Sequence, residues 1–98
     1  MSELDFHIDL NIEVMNLRQS DLDDAARQLR ALADEHNDLV GVSISVEPLA
    51  GREHHYLYQT RIVAYLRPEN IAVIEKSETA EDSLRDAVQQ MEERIRSE

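Results

Sequence analysis

The sequence predicts an α+β fold, ordered β-α-β-β-β-α, in which a four-stranded mixed sheet carries both helices on one face. Two observations lead there. From Leu4 to Val14 apolar and polar residues alternate without a break, which is the side-chain period of a half-buried strand. Two later segments carry a single apolar stripe at three- and four-residue steps, the mark of a helix with one buried side. Their order decides the layering: a strand–helix–strand start makes a parallel pair, and short turns after it make antiparallel neighbours. Two one-striped helices then share one face, and the other face shows His7, Asp9, Asn11, Ser43 and Ser45 to solvent.

Element by element, Leu4, Phe6, Ile8, Leu10, Ile12 and Val14 form the apolar side of the first strand. Ser20 is a suitable N-cap, with Asp23 at capping-box spacing, for a helix over about residues 21–36. Asp21, Asp23 and Asp24 sit at its positive dipole end, and Leu22, Ala25, Ala26, Leu29, Leu32 and Ala33 make its stripe. Val40, Val42, Ile44 and Val46 alternate with small or polar residues as a second strand, stopped by Pro48, Ala50 and Gly51. A third strand runs from about His55 to Leu66, and Arg67 to Asn70 closes it as a turn. A short fourth strand covers Ile71 to Ile74. Thr79 caps the last helix, with Asp82 three residues on and a stripe from Ala80 through Leu84, Val88 and Met91 to Ile95.

The 98 residues suffice for one domain, and 42% apolar content suffices for its core. No apolar run reaches about 18 residues and no basic start precedes an apolar stretch, so neither membrane spanning nor export is expected, and a cytoplasmic protein is the default. Without cysteine there is neither a disulfide framework nor a thiolate metal site. The net charge of −11 argues against broad attraction to phosphate. Lys76 is the one lysine beside nine arginines. That bias suits a high-salt cytoplasm, where the Debye length falls to about 3 Å at 1 M, and equally a GC-rich genome.

From Tyr58 to Ile95 the text YQTRIVAYLRPENIAVIEKSETAEDSLRDAVQQMEERI resembles the ribosome hibernation-promoting factors, also called ribosome-associated inhibitor or sigma-54 modulation proteins. The shared pattern is a strand, a Pro-containing turn, a short apolar strand, an acidic helix start and a helix ending in a Leu-Glu-Arg-like stretch. Glu78, Thr79 and Glu81 stand where the family usually has an acidic pair and an aromatic residue, and Ser83-Leu84 replaces its Ala-Ile pair. The resemblance implies one hibernation-factor-like domain over 1–98, of the short form without the extra carboxy-terminal dimerisation domain. It also implies binding to small-subunit ribosomal RNA and stress-linked inhibition of translation.

In that family, basic residues on both helices meet the RNA backbone. Here those positions fall near Gln28, Ala31 and Asp34 on the first helix and near Gln90 and Glu93 on the last; a one-residue shift of register would bring in Arg27 and Arg30. The RNA-binding candidates are therefore Arg27, Arg30, Lys76 and Arg94. Pairing with acids such as Asp23 and Asp34 is the alternative for Arg27 and Arg30. A positive strip joining all four across the helices would favour the ribosome. A uniformly negative helix face would favour an acidic interaction module, taking a basic protein or pairing with itself as a homodimer through a sheet edge.

Catalysis is not expected. There is no Cys nucleophile, no Gly-rich phosphate loop and no nucleophile elbow. Adjacent His54 and His55 in a strand point to opposite faces, so with His7 and His36 they do not converge on a metal. No cofactor is implied. Tyr56, Tyr58 and Tyr65 raise the question of a base-stacking platform, but Tyr65 has the opposite parity to the other two, so one set belongs to the core.

Overall fold

The computed structural model describes residues 6–36, 38–49, 57–66 and 69–97. Within them run β1 (His7–Ile12), α1 (Gln19–Glu35), β2 (Gly41–Pro48), β3 (Tyr58–Tyr65), β4 (Ile71–Ser77) and α2 (Ala80–Arg96). The strands form one sheet in the order β1-β2-β3-β4. β1 and β2 are parallel, joined through α1, and the two following pairs are antiparallel. This is the mixed α+β architecture that the alternation and the two stripes predict.

One core holds the layers together. Ala25, Leu29 and Leu32 of α1 and Leu84, Val88, Met91 and Ile95 of α2 are buried with Val42, Ile44, Val46, Ile62, Ala64, Ile71 and Val73 of the sheet. Fully burying a side chain such as Leu29 contributes about 1.5–3 kcal/mol. Both helices thus lie on the face formed by even-numbered residues of β1–β3 and odd-numbered residues of β4. His7, Asp9 and Asn11 are exposed on the other face, with Ser43 and Ser45 half-buried beside them.

Three expectations are corrected. The apolar side of β1 is only partly covered: Phe6, Ile8, Ile12 and Val14 are half-buried, and Leu10 remains 48% exposed. β1 is an edge strand, and α1 leans on α2 more than on β1, so cover runs out there. Ser20 is not the cap of α1; the helix starts at Gln19 with Arg18 as N-cap. Asp21 closes that end, its carboxylate accepting the Arg18 N–H at 3.2 Å and its own N–H donating to the Arg18 carbonyl at 3.1 Å. β4 runs on to Ser77, because Tyr58, Gln59 and Thr60 continue the ladder opposite Ser77, Lys76 and Glu75. The β3 strand begins at Tyr58; His55 and Tyr56 lie outside the described residues, as does Leu4. Thr79 does cap α2, its hydroxyl accepting the Asp82 N–H at 3.0 Å.

Two local features carry the packing. Gly41 starts β2 directly beside His7, and a Cβ there would stand 2.9 Å from the His7 carbonyl oxygen, too close for any side chain. In the core, Ser83 and Thr60 are both fully buried, and their hydroxyls lie 2.7 Å apart. Ser83 also donates to the Ala80 carbonyl at 2.9 Å, which leaves its oxygen to accept from Thr60. Ser83 is thus satisfied by a partner 23 residues away in β3.

Candidate nucleic-acid interface

The helix layer is where the resemblance places contact with RNA, and its charge follows from the sequence of the two helices. α1 and α2 carry ten carboxylates against five arginines, a net charge of −5. They lie side by side with their N-termini at one end. There a groove of about 260 Å³ is lined by Asp21, Asp24, Gln28, Glu81 and Arg85 over a floor of Ala25, Leu84 and Val88. At the other end Arg96 approaches Glu35 at 3.8 Å. The groove itself holds three carboxylates and one guanidinium. Arg85 is held by Glu81 at 3.3 Å and Asp82 at 3.0 Å, so its charge is already matched inside the protein. The Glu81–Arg85 spacing of four is a standard helical pair and was readable in the sequence.

The four candidate bases do not share a surface. Arg27 is exposed on the crest of α1 and pairs with Asp24 at 2.9 Å, rather than with Asp23. Arg30 turns to the opposite flank from the groove, where its guanidinium lies 5.8 Å from the centre of the Phe6 ring. Arg94 lies beyond the far side of the groove, roughly 130° around α2 from the residues that line it, at 3.6 residues per turn. Lys76 is on the other side of the sheet. Its partner in register is Gln59, next to Glu47, and Ile71 and Val73, of opposite parity to Lys76, are the β4 residues that face the helices. The helix layer is therefore neither a positive strip nor uniformly negative: acids fill its middle, and Arg30 and Arg94 stand at its outer edges. Of the family's basic positions, Gln28 lies in the groove, Gln90 is half-buried, and Ala31, Asp34 and Glu93 are exposed.

The helix-free face carries a different chemistry. Tyr65, 38% exposed, stands there with Val63, Arg61, Ile74 and Lys76. Tyr58 is half-buried against the core, its hydroxyl 3.4 Å from the Asn16 amide, so the tyrosines are split between the faces. His54, His55 and Tyr56 lie outside the described residues. Among the described residues no three His, Asp or Glu side chains come together as a metal would need.

No family model matches the chain, and comparison with curated proteins finds no match in sequence. Solved structures do match. A ribosomal subunit interface protein from Coxiella burnetii superposes with a TM-score of 0.71 over 94% of this chain and 96% of that one, at 9% identity. The N-terminal domain of Protein Y from Thermus thermophilus gives 0.68 over 89% and 91%, at 16% identity. At the level of fold, both neighbours match the hibernation-promoting factor family that the Tyr58–Ile95 pattern resembles. What is shared at these identities is the architecture, while the charged surface is this chain's own.

Proposed function

We propose that this chain is a ribosome-associated stress factor of the hibernation-promoting class, a cytoplasmic, non-catalytic protein that binds the small subunit and inhibits translation. The observation that carries the reading is end-to-end agreement of fold with a ribosomal subunit interface protein, over 94% of one chain and 96% of the other. The sequence pattern from Tyr58 to Ile95 supports it independently. The whole of residues 1–98 is taken as one such domain.

Within this reading RNA is met by Arg27 on the crest of α1, Arg30 on its outer flank and Arg94 on the far flank of α2, around the acidic groove. Lys76 takes no part, because it stands behind the sheet. Three arginines allow about three phosphate contacts, so log affinity against log salt should have a slope no steeper than about −3. The test is sedimentation with ribosomes across a salt series. Cosedimentation that fades with that shallow slope supports the reading. Its absence even at low salt, where such contacts are strongest, overturns it.

A second reading rests on the groove. Three carboxylates beside Arg85 suit a cationic peptide better than a phosphate, which favours an acidic interaction module that has kept the fold and lost the ribosome. Capture of small-subunit RNA by the purified protein would count against this alternative.

A further inference from the structure

We infer that the helix-free face of the sheet is a self-association surface that takes a second copy of this chain, sheet against sheet. This goes beyond the ribosome reading and does not depend on it, since it uses the opposite side of the molecule.

The register fixes which side chains share this face. Side by side across the sheet, Asp9, Ser43, Val63 and Ala72 form one row, Asn11, Ser45, Arg61 and Ile74 the next, and Glu47, Gln59 and Lys76 a third. Glu13 extends that third row beyond β1, its N–H donating to the Val46 carbonyl at 2.8 Å and its carboxylate accepting from Asn11 on the same face at 3.4 Å. The face is thus divided lengthwise. Its β1–β2 half is acidic, with Asp9, Glu13 and Glu47; its β3–β4 half is basic and apolar, with Arg61, Lys76, Val63 and Ile74, the last 52% exposed.

A two-fold axis along the strands turns one half onto the other. β1 of one copy then lies over β4 of its partner, and β2 over β3, with every row kept opposite itself. Glu13 meets Lys76, Ser45 meets Arg61, Ser43 meets Val63 and Asn11 meets Ile74, each contact made twice as an isologous interface requires. Bulk also matches, since the taller β3 side chains come down on the small ones of β2. Sheets pack in this way about 10 Å apart and within about 30° of parallel, and the long side chains of Glu13 and Lys76 at the corners can follow that rotation.

The footprint sets the strength. Four strands about 4.8 Å apart and six residues at about 3.3 Å give roughly 400 Å² per copy, which belongs to weak, concentration-dependent association. The charge division makes it specific, because a basic half that met another basic half would repel.

The experiment is sedimentation equilibrium of the intact protein from about 10 μM to 1 mM in 0.15 M salt, where a Debye length of about 8 Å screens the outward helix layers. Wild type should pass from monomer to dimer over that range. Glu13→Lys and Lys76→Glu should each raise the dissociation constant at least about tenfold, as two attractive contacts become repulsive. An equimolar mixture of the two variants should dimerise again, because each supplies the charge that the other lacks. Ile74→Glu, on the exposed face, should give a monomer that melts at the wild-type temperature. A wild type that stays monomeric at 1 mM overturns the inference. So does a dimer indifferent to all three substitutions, which would lie at a sheet edge, or a mixture that stays monomeric. Tyr65, Val63 and Ile74 amide signals that shift with a single-stranded RNA, and not with protein concentration, would assign the face to nucleic acid instead.

Discussion

Removing the Ser83 hydroxyl should expose how much the buried Thr60–Ser83 pair contributes. Ser83 donates to the Ala80 carbonyl and accepts from Thr60, and both hydroxyls are fully buried. In Ser83→Ala the Thr60 hydroxyl keeps its place with no partner, and an unsatisfied buried donor costs about 1–3 kcal/mol. At about 4–8 °C per kcal/mol for a domain of this size, a loss near 2 kcal/mol lowers the melting temperature by roughly 8–16 °C. Thr60→Val should be milder, below about 1 kcal/mol, because the methyl group fills the same space and Ser83 still has Ala80. In the double variant no donor is left unmet, so its loss should be close to that of Thr60→Val alone, well below the sum of the two. Urea titration of the four proteins gives the coupling directly. A double variant whose loss equals that sum to within about 0.5 kcal/mol would refute the account, since independent sites add to that precision.

Other outcomes follow from burial and charge. Leu29→Asp places an unpaired carboxylate at a fully buried position of α1, and should lower stability by several kcal/mol in urea titration. Gly41→Ala drives a Cβ to within 2.9 Å of the His7 carbonyl oxygen and should cost about 1–3 kcal/mol; an unchanged melting temperature would mean that β1 yields at that end. In the ribosome salt series, Arg30→Ala and Arg94→Ala should each flatten the slope by about one unit, whereas Lys76→Ala should leave it unchanged. Asp21→Asn with Asp24→Asn removes two groove charges and should strengthen ribosome binding at every salt concentration; weakened binding would show that the groove carboxylates are themselves contacts.

The backbone was legible where local pattern and burial agree. Alternation through Val42, Ile44 and Val46 and the stripe of α2 are set by which side meets the core, so periodicity alone finds them. The length of β4 was not legible. Glu75, Lys76 and Ser77 look like the start of a loop, and only the ladder to Tyr58–Thr60 makes them strand. The N-cap misled for a related reason: Ser20 has the right chemistry, but Asp21 reaches back to Arg18, so the helix begins two residues earlier. Candidate-site residues fared unevenly. The parity of Lys76 relative to Ile71 and Val73 already set it on the helix-free face, a signal outweighed by its charge. The separation of Arg30 from Arg94 is different, since it depends on which flanks of the helices meet, and no local pattern encodes that.

The two surfaces of this molecule are physically independent of each other and of the core that fixes its layers, so the fold can persist at 9% and 16% identity whatever charges its outside carries. The stripes that specify the layers point inward, and no carboxylate on the outer helix flanks enters the core. Acids can therefore accumulate between α1 and α2 at little expense to stability, while each one weakens attraction to phosphate. The same independence holds behind the sheet, where Arg61, Lys76 and Ile74 touch nothing that fixes the helices. Substitutions at Arg30 and Arg94 should then change ribosome binding without altering self-association, and those at Glu13 and Lys76 should do the reverse. Cosedimentation with ribosomes and sedimentation equilibrium, run on the same variants, separate the two. A substitution on one side that moved both readouts equally would mean that the sheet transmits between its faces, and the division into two surfaces would be wrong.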